Sequence, residues 1–166
     1  MARGPWDPRA AHGGAPAALM VDRLARMDVN GRLTRATVEL VRPVPLTPLS
    51  LELRTAKKGS QVQRTEAALY ADDLLVARAE GLHVTPLVTP GVAPDRDLMR
   101  RCLHERLAGV EEARPQGKIP ARNKKTFSTD AMEIRFIRGR FSEPGPGAAW
   151  FRLKAPVVND ETPHPW

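Results

Sequence analysis

At residues 12–21 the chain reads HGGAPAALMV, and within it Ala15–Val21 is apolar around its full circumference. Pro16 suits the first turn of a helix, because a proline at that position loses no hydrogen bond. A helix that is apolar on every side has to be enclosed by other elements. We therefore predict a fully enclosed helix with the paired glycines Gly13 and Gly14 at its start.

Four strand-like segments follow this helix: Arg32–Val41, Leu49–Arg54, Gln61–Tyr70 and Leu74–Val84. Apolar and polar residues alternate in the first two, as is typical of half-buried strands. Turn residues separate the later segments, so we expect successive hairpins and an antiparallel meander. The simplest way to bury the helix is a sheet that curls around it. The prediction is an α+β protein with the outline of a hotdog fold, an antiparallel sheet wrapped around a long central helix.

The remainder of the chain is patterned differently. A proline-rich stretch from Pro86 to Pro94 leads to a predicted helix over residues 96–107, which Asp95 can cap. Alternation returns at Met132–Phe136 and at Ala149–Leu153. Because an isolated hairpin is marginal in water, this strand pair either joins the first sheet or opens a second domain. We expect residues 1–86 to form an N-terminal hotdog unit and residues 87–130 to form a linker with a short helix. The family resemblance given below implies that 131–166 is the incomplete start of a second hotdog unit.

The charge of the chain indicates an anionic ligand. The formal net charge is +7, and residues 114–140 contain eight basic side chains against two acids. No aromatic residue alternates with these charges, which argues against nucleic acid. The phosphates of coenzyme A suit this segment equally well, as they suit Lys57 and Lys58. A solvated basic face without a ligand is the alternative for each residue.

Other classes of function are disfavoured by what the sequence lacks. Cys102 is the only cysteine, so neither a disulfide framework nor a thiolate metal cluster is expected. His83, His104 and His164 are scattered, and we assign no metal and no cofactor. Ala15–Val21 is too short an apolar run to span a bilayer, so the expectation is a cytoplasmic protein without a membrane partner.

Several motifs resemble those of a known family. They are Gly4-Pro5-Trp6-Asp7-Pro8, His12-Gly13-Gly14-Ala15-Pro16-Ala17-Ala18-Leu19, Val41-Arg42-Pro43-Val44-Pro45-Leu46, Glu133-Ile134-Arg135-Phe136 and Trp150-Phe151-Arg152-Leu153. In this order they resemble bacterial thioesterases related to acyl-CoA thioesterase II. The resemblance implies a tandem of two hotdog units that hydrolyses acyl-CoA, paired as a homodimer or within one chain. In that family the catalytic acid lies in the second unit. Because this chain stops near where the helix of that unit would begin, we expect the acid to come from outside it.

Thioester hydrolysis needs an acyl pocket, donors for the carbonyl oxyanion and a base that activates water. Glycines at a helix start can supply free N–H groups and leave room for the thioester, so Gly13 and Gly14 are assigned to substrate binding. His12 is assigned to orienting the substrate or lining the pocket. A general base and a purely structural histidine are the alternatives for His12. A tight helix entry without a ligand is the alternative for the two glycines.

No catalytic acid is assigned from the sequence. In single-hotdog thioesterases with a His-Gly-Gly motif, an acid often lies nine residues after the histidine, and that position is Val21 here. Asp22 is one residue later, about 100° further around the helix. It is the remaining candidate, and the alternative is that it faces solvent or pairs with Arg26. Glu66 and Glu80 lie in strands, and either could face the groove.

The predicted function is that of an acyl-CoA thioesterase-like protein, which converts an acyl-CoA to the free acid and CoA. The alternative from another class is a non-catalytic acyl-CoA-binding or assembly module of hotdog fold that lacks the acid. A hydratase or dehydratase of the same fold is a third possibility, for which no suitably placed acid or histidine stands out. Acyl chain length and oligomeric state stay open.

Overall fold

The computed structural model describes residues 2–87, 109–115 and 126–161. The predicted helix at 96–107 lies outside these residues. In chain order the described elements are α1 (Gly14–Ala25), β1 (Arg32–Leu40), β2 (Ser50–Lys57), β3 (Val62–Ala71), β4 (Leu74–Val84), β5 (Arg114–Pro115), a π-helical turn (Phe127–Ala131), β6 (Met132–Arg138) and β7 (Ala148–Leu153).

Helix α1 lies on one face of a four-stranded antiparallel sheet. Pro16, Met20 and Leu24, spaced four residues apart, are buried and form one side of the helix. The remaining residues of the predicted apolar rod, such as Ala15 and Leu19, are half-buried, so the prediction of full enclosure is wrong. Four strands spaced about 4.8 Å apart make a sheet about 14 Å wide. Such a sheet covers one side of a helix about 10 Å across and cannot encircle it.

The strand order of this sheet is β1-β4-β3-β2. β2, β3 and β4 form the predicted hairpins, and every pair is antiparallel. β1 does not pair with β2 as a meander would require. It lies on the far side of β4, with Val38 opposite Ala79. The segment between Leu40 and Ser50, which contains three prolines, therefore crosses to the other edge of the sheet.

The core lies between α1 and the inner face of this sheet. Met20, Leu24 and Leu69 are fully buried there beside small side chains such as Ala77. Gly31 sets the entry into β1 with φ +94°, and a Cβ atom built on it would lie 2.6 Å from the backbone carbon of Val84. Only glycine fits this approach, because an L side chain is strained there and also clashes.

The described residues fall into two compact units. Residues 2–86, 126–131 and 153–161 belong to the first, and the remaining described residues belong to the second. The second unit holds a separate three-stranded sheet in the order β5-β6-β7. The late strands therefore form their own sheet and do not join the first one. The boundaries predicted at residues 86 and 130 stay a prediction.

Candidate active site

The start of α1 brings the predicted substrate-binding residues together. The N–H of Gly14 donates to Nδ1 of His12 at 3.0 Å, and the N–H of Ala15 donates to the carbonyl of His12 at 2.9 Å. Pro16 has no N–H, and Ala17 donates to the carbonyl of Gly13. Within residues 2–87, 109–115 and 126–161, the N–H of Gly13 has no acceptor. Of the two donors that the sequence offered for an oxyanion, Gly13 is thus the one left unused.

Side chains occupy the space that the two glycines leave. A Cβ atom on Gly14 would lie 2.9 Å from Cε1 of Phe127, and one on Gly13 would lie 2.6 Å from Cδ1 of Leu40. The Phe127 ring stacks on the His12 ring with centroids 5.1 Å apart and planes 19° from parallel. Leu40 is exposed and Phe127 is half-buried, so neither of the two contacting side chains belongs to the buried core.

Phe127 is a site residue that the sequence analysis missed. It lies within a polar turn in which Oδ2 of Asp130 accepts from the N–H of Thr126 at 2.8 Å and from the hydroxyl of Thr129 at 2.6 Å. The N–H of Phe127 donates to the carbonyl of Arg3 at 3.0 Å. These bonds fix the backbone that carries the ring. The Thr-to-Asp spacing signals a capped turn, but nothing local in the sequence says which helix the turn meets.

Asp22 lies near the other end of α1 and is 2% exposed. Its Oδ2 accepts from Nε of Arg26 at 2.9 Å and lies 3.9 Å from Nε of Arg23. The predicted pairing with Arg26 is therefore confirmed, and the solvent-facing alternative is wrong. A hydrogen bond from Arg23 to Glu161 at 2.6 Å raises the pKa of that guanidinium. Eight residues separate Asp22 from Gly14, about 12 Å along the helix axis, which is beyond hydrogen-bonding reach.

The other two acids considered for the groove face away from α1. Glu66 pairs with Arg54, and Glu80 accepts from Arg64 at 2.9 Å. They line a basin of about 970 Å³ on the outer face of the sheet, together with Thr37, Glu39, Glu52, Tyr70, Arg78 and other residues of the four strands. The basin is strongly charged and lies on the opposite side of the sheet from Gly13.

A buried polar group lies on the inner face of β3 and β4. Nε2 of His83 and the hydroxyl of Thr65 are 2.9 Å apart, and both side chains are at most 1% exposed. Gln63, opposite His83 in the register, is also buried. Burial lowers the pKa of His83, because desolvation penalises the charged imidazole. Among the residues that the structure describes, no group of three or more potential metal ligands is found.

The basic residues proposed for coenzyme A phosphates are scattered over the described parts of the chain. Lys57 ends β2 and Lys58 follows it, both exposed. Of the later group, Arg135 pairs with Glu133 at 2.8 Å, and the attraction raises its pKa. Lys118, Arg122, Lys124 and Lys125 lie outside the described residues. None of the helices in the described residues is long and apolar enough to cross a membrane.

An antiparallel sheet that carries one long helix across its inner face, with a glycine pair at the helix start, defines a hotdog-fold protein. The chain belongs to the acyl-CoA thioesterase family: the family described as acyl-CoA thioesterase N-terminal domain matches residues 2–84, half of the chain. The predicted fold and family are therefore confirmed. A search of the curated proteins finds no match to this chain.

Three solved structures share the fold. A protein of Novosphingobium aromaticivorans provisionally named a thioesterase is 20% identical with a TM-score of 0.61, over 87% of this chain and 55% of its own. A protein of unknown function with a hotdog fold from Alicyclobacillus acidocaldarius is 19% identical with a TM-score of 0.60, over 90% and 54%. The TesB protein of Mycobacterium avium subspecies paratuberculosis is 16% identical with a TM-score of 0.59, over 95% and 55%. The chain spans about half the length of these proteins.

Proposed function

We propose that this protein takes part in the hydrolysis of an acyl-CoA thioester, with its first unit shaping the site where the thioester binds. The observation that carries the proposal is the family match over residues 2–84, because that range contains the His12-Gly13-Gly14 helix start. The free N–H of Gly13 at the positive end of α1 supports the same assignment, since a developing oxyanion is stabilised by such a donor.

The proposed reaction is attack of water on the thioester carbonyl. The oxygen of a water attacks the carbonyl carbon, and the carbonyl oxygen takes up the negative charge of the tetrahedral intermediate. The Gly13 N–H donates to that oxygen. The carbon–sulfur bond then breaks, and the proton removed from water ends on the CoA sulfur, giving the free acid and CoA. The base is assigned to a residue outside the described part of this chain.

A non-catalytic acyl-CoA-binding or assembly module is the second candidate. It is favoured by the engagement of all three acids that the sequence offered: Asp22, Glu66 and Glu80 each pair with an arginine. Two carboxylates of these three also face away from α1. Fold and family would be the same in both proteins, so only a measurement of thiol release separates them.

The test is release of CoA thiol from octanoyl-CoA by the full chain, compared with a Gly13→Val variant. A β-branched side chain beside the N–H blocks approach of the carbonyl, and loss of one oxyanion donor lowers kcat by about 10²-fold. Gly147→Val is the matched control, because the nearest atom to a Cβ at Gly147 is 3.8 Å away. Circular dichroism and Tm verify that both variants fold.

Saturable octanoyl-CoA binding without thiol release supports the binding module. If the protein neither binds octanoyl-CoA nor releases thiol from it, both candidate functions are contradicted. Equal activity of Gly13→Val and Gly147→Val contradicts the role of the Gly13 N–H while leaving the family function intact.

The architecture of the whole protein is part of the same proposal. We propose that β6 and β7 open a second hotdog unit, which the separate three-stranded sheet and the double length of the relatives support. We also propose that hotdog units pair, within a tandem chain or as a homodimer. A cytoplasmic location is proposed from the single cysteine and remains to be measured.

A further inference from the structure

The hydrogen bonds at the helix start fix which nitrogen of His12 carries the proton. Nδ1 of His12 accepts the N–H of Gly14 at 3.0 Å. A neutral imidazole has one N–H and one acceptor nitrogen, so with Nδ1 accepting, the proton lies on Nε2. The ring therefore presents a donor and has no acceptor left. In this tautomer the ring has no free lone pair with which to take a proton from water.

Two contacts fix the orientation of the His12 ring: the Gly14 N–H binds its edge, and the Phe127 ring packs on its face. Phe127 stacks on it at a centroid distance of 5.1 Å and an interplanar angle of 19°. The backbone of Phe127 is held in turn by its N–H bond to the carbonyl of Arg3. In the described part of the chain Nε2 of His12 has no partner, and the side chain is half-buried. A rigid, partly desolvated donor beside a substrate site is what carbonyl recognition requires.

We propose that His12 donates a hydrogen bond from Nε2 to the carbonyl oxygen of the bound acyl thioester, and that Phe127 is the positioning residue that holds the ring for this contact. The inference rests on the acyl-CoA function proposed above. It adds a side-chain donor to the Gly13 N–H, so the carbonyl oxygen is recognised before hydrolysis and stabilised more strongly as its charge grows.

Two substitutions of His12 test the roles of Nδ1 and Nε2 individually. In His12→Asn the amide oxygen stands at the position of Nδ1, so the bond from the Gly14 N–H is kept and Nε2–H is lost. In His12→Gln the amide group reaches the position of Nε2, so a donor is kept there. We expect His12→Asn to keep the wild-type Tm within about 2 °C and to lose carbonyl recognition, which His12→Gln retains in part.

The ligands are two non-hydrolysable analogues of octanoyl-CoA. In the dethia ketone a methylene replaces the sulfur and the carbonyl stays; in the octyl-CoA thioether a methylene replaces the carbonyl. Calorimetry on the full chain should give the ketone a lower Kd than the thioether by about 10- to 100-fold, the worth of two net hydrogen bonds, from the Gly13 N–H and from His12. In His12→Asn this preference should fall by about 3- to 10-fold, the worth of the His12 bond alone, with the Kd of the thioether unchanged.

The other possible calorimetric results each contradict the proposal for His12 or the proposed function. A preference for the ketone that is as large in His12→Asn as in the wild type overturns the role of His12 and leaves acyl-CoA binding standing. Equal affinity of the wild type for both ligands does the same. Equal weakening of both ligands in His12→Asn overturns it too, because His12 then only shapes the pocket. Binding of neither ligand by the wild type overturns the proposed function together with this inference.

The positioning role of Phe127 is tested by the tautomer of His12, which NMR spectroscopy detects independently of protein stability. The side-chain ¹⁵N spectrum of histidine distinguishes the two neutral tautomers, and wild-type His12 should show the Nε2–H form. We expect Phe127→Ala to give a mixture of both forms and to reduce the ketone preference, while Phe127→Tyr keeps both properties. A dominant Nδ1–H form in the wild type overturns the proposal, and an unchanged spectrum in Phe127→Ala overturns the positioning role.

Discussion

The two sheets of this protein differ in what covers them. The four-stranded sheet carries α1 on its inner face, and Met20, Leu24 and Leu69 between them are fully buried. In the three-stranded sheet of the second unit the buried apolar side chain is Ile134, while Phe151 remains 62% exposed. Since apolar burial is the main stabilising term in folding, the first sheet has the means to be stable alone. Among the residues that the structure describes, the second sheet has no helix packed on it as α1 is packed on the first.

The largest expected effect is on the core beneath α1. Leu24→Ala should lower the free energy of unfolding by about 2–5 kcal/mol, because it leaves a cavity between the helix and the sheet. Phe151→Ala, at an exposed position of the second sheet, should change it by less than about 0.5 kcal/mol. Urea denaturation followed by circular dichroism measures both. If Phe151→Ala were as destabilising as Leu24→Ala, the contrast between the sheets would be wrong.

A glycine in each unit gives the next comparison. A Cβ on Gly81 would lie 2.6 Å from the hydroxyl oxygen of Thr65 and 2.9 Å from Cδ1 of Leu33, both inside the first unit. Gly81→Ala should therefore destabilise by about 1–3 kcal/mol through overpacking. Gly147→Ala, near the second sheet, meets nothing closer than 3.8 Å and is the control. A neutral Gly81→Ala would show that the Thr65 and Leu33 side chains can shift without loss of stability.

Buried His83 makes the first unit sensitive to pH. Burial lowers the pKa of its imidazole in the folded protein, so below the unfolded value of about 6.5 the unfolded chain binds more protons. The free energy of unfolding should therefore fall as the pH decreases from about 6.5 until the folded pKa is passed. His83→Gln, which keeps a hydrogen-bonding group without the charge, should flatten this slope. An unchanged slope would assign the pH dependence to other groups.

The smallest expected effect concerns the ion pairs that Glu133 makes at the surface of the second sheet. Hydrogen bonds from Arg135, and then from Arg152, hold the pKa of Glu133 below its usual range. Arg135→Gln should raise that pKa toward the ordinary value, and Arg152→Gln should raise it less; a ¹³C NMR titration of the carboxyl group measures both. Stability should barely change, because exposed ion pairs contribute little. A larger rise of the Glu133 pKa in Arg152→Gln than in Arg135→Gln would contradict this prediction.

Local patterns in the sequence were sufficient to predict the strands of the first sheet and the start of α1. β4 was predicted at Leu74–Val84, where the structure has it, because alternation and turn residues are properties of neighbouring positions. The pairing of β1 with β4 was not predictable in the same way, since several strand orders satisfy one alternation pattern. For the same reason Gly13 and Gly14 were found at the helix start, whereas Phe127 was not.

The environment of Asp22 shows the same limit for charge. Its pairing with Arg26 follows from a four-residue spacing on one helix and was predicted. The arginines beside it also contact Glu161, which accepts a hydrogen bond from Arg23 across 138 positions of sequence. This second acid shares the positive charge that surrounds Asp22, and no local pattern connects it to the helix.

The contact between Arg23 and Glu161 also sets an order of events during translation. When residues 1–86 have emerged from the ribosome, α1 and all four strands of the first sheet are present, but Phe127 and Glu161 are not yet made. Chains grow at about 5–20 residues per second, so several seconds pass before these two side chains can reach the helix. During that interval the nascent chain carries an unfinished unit. Closing so long a loop afterwards is also entropically unfavourable, which slows the final step of folding.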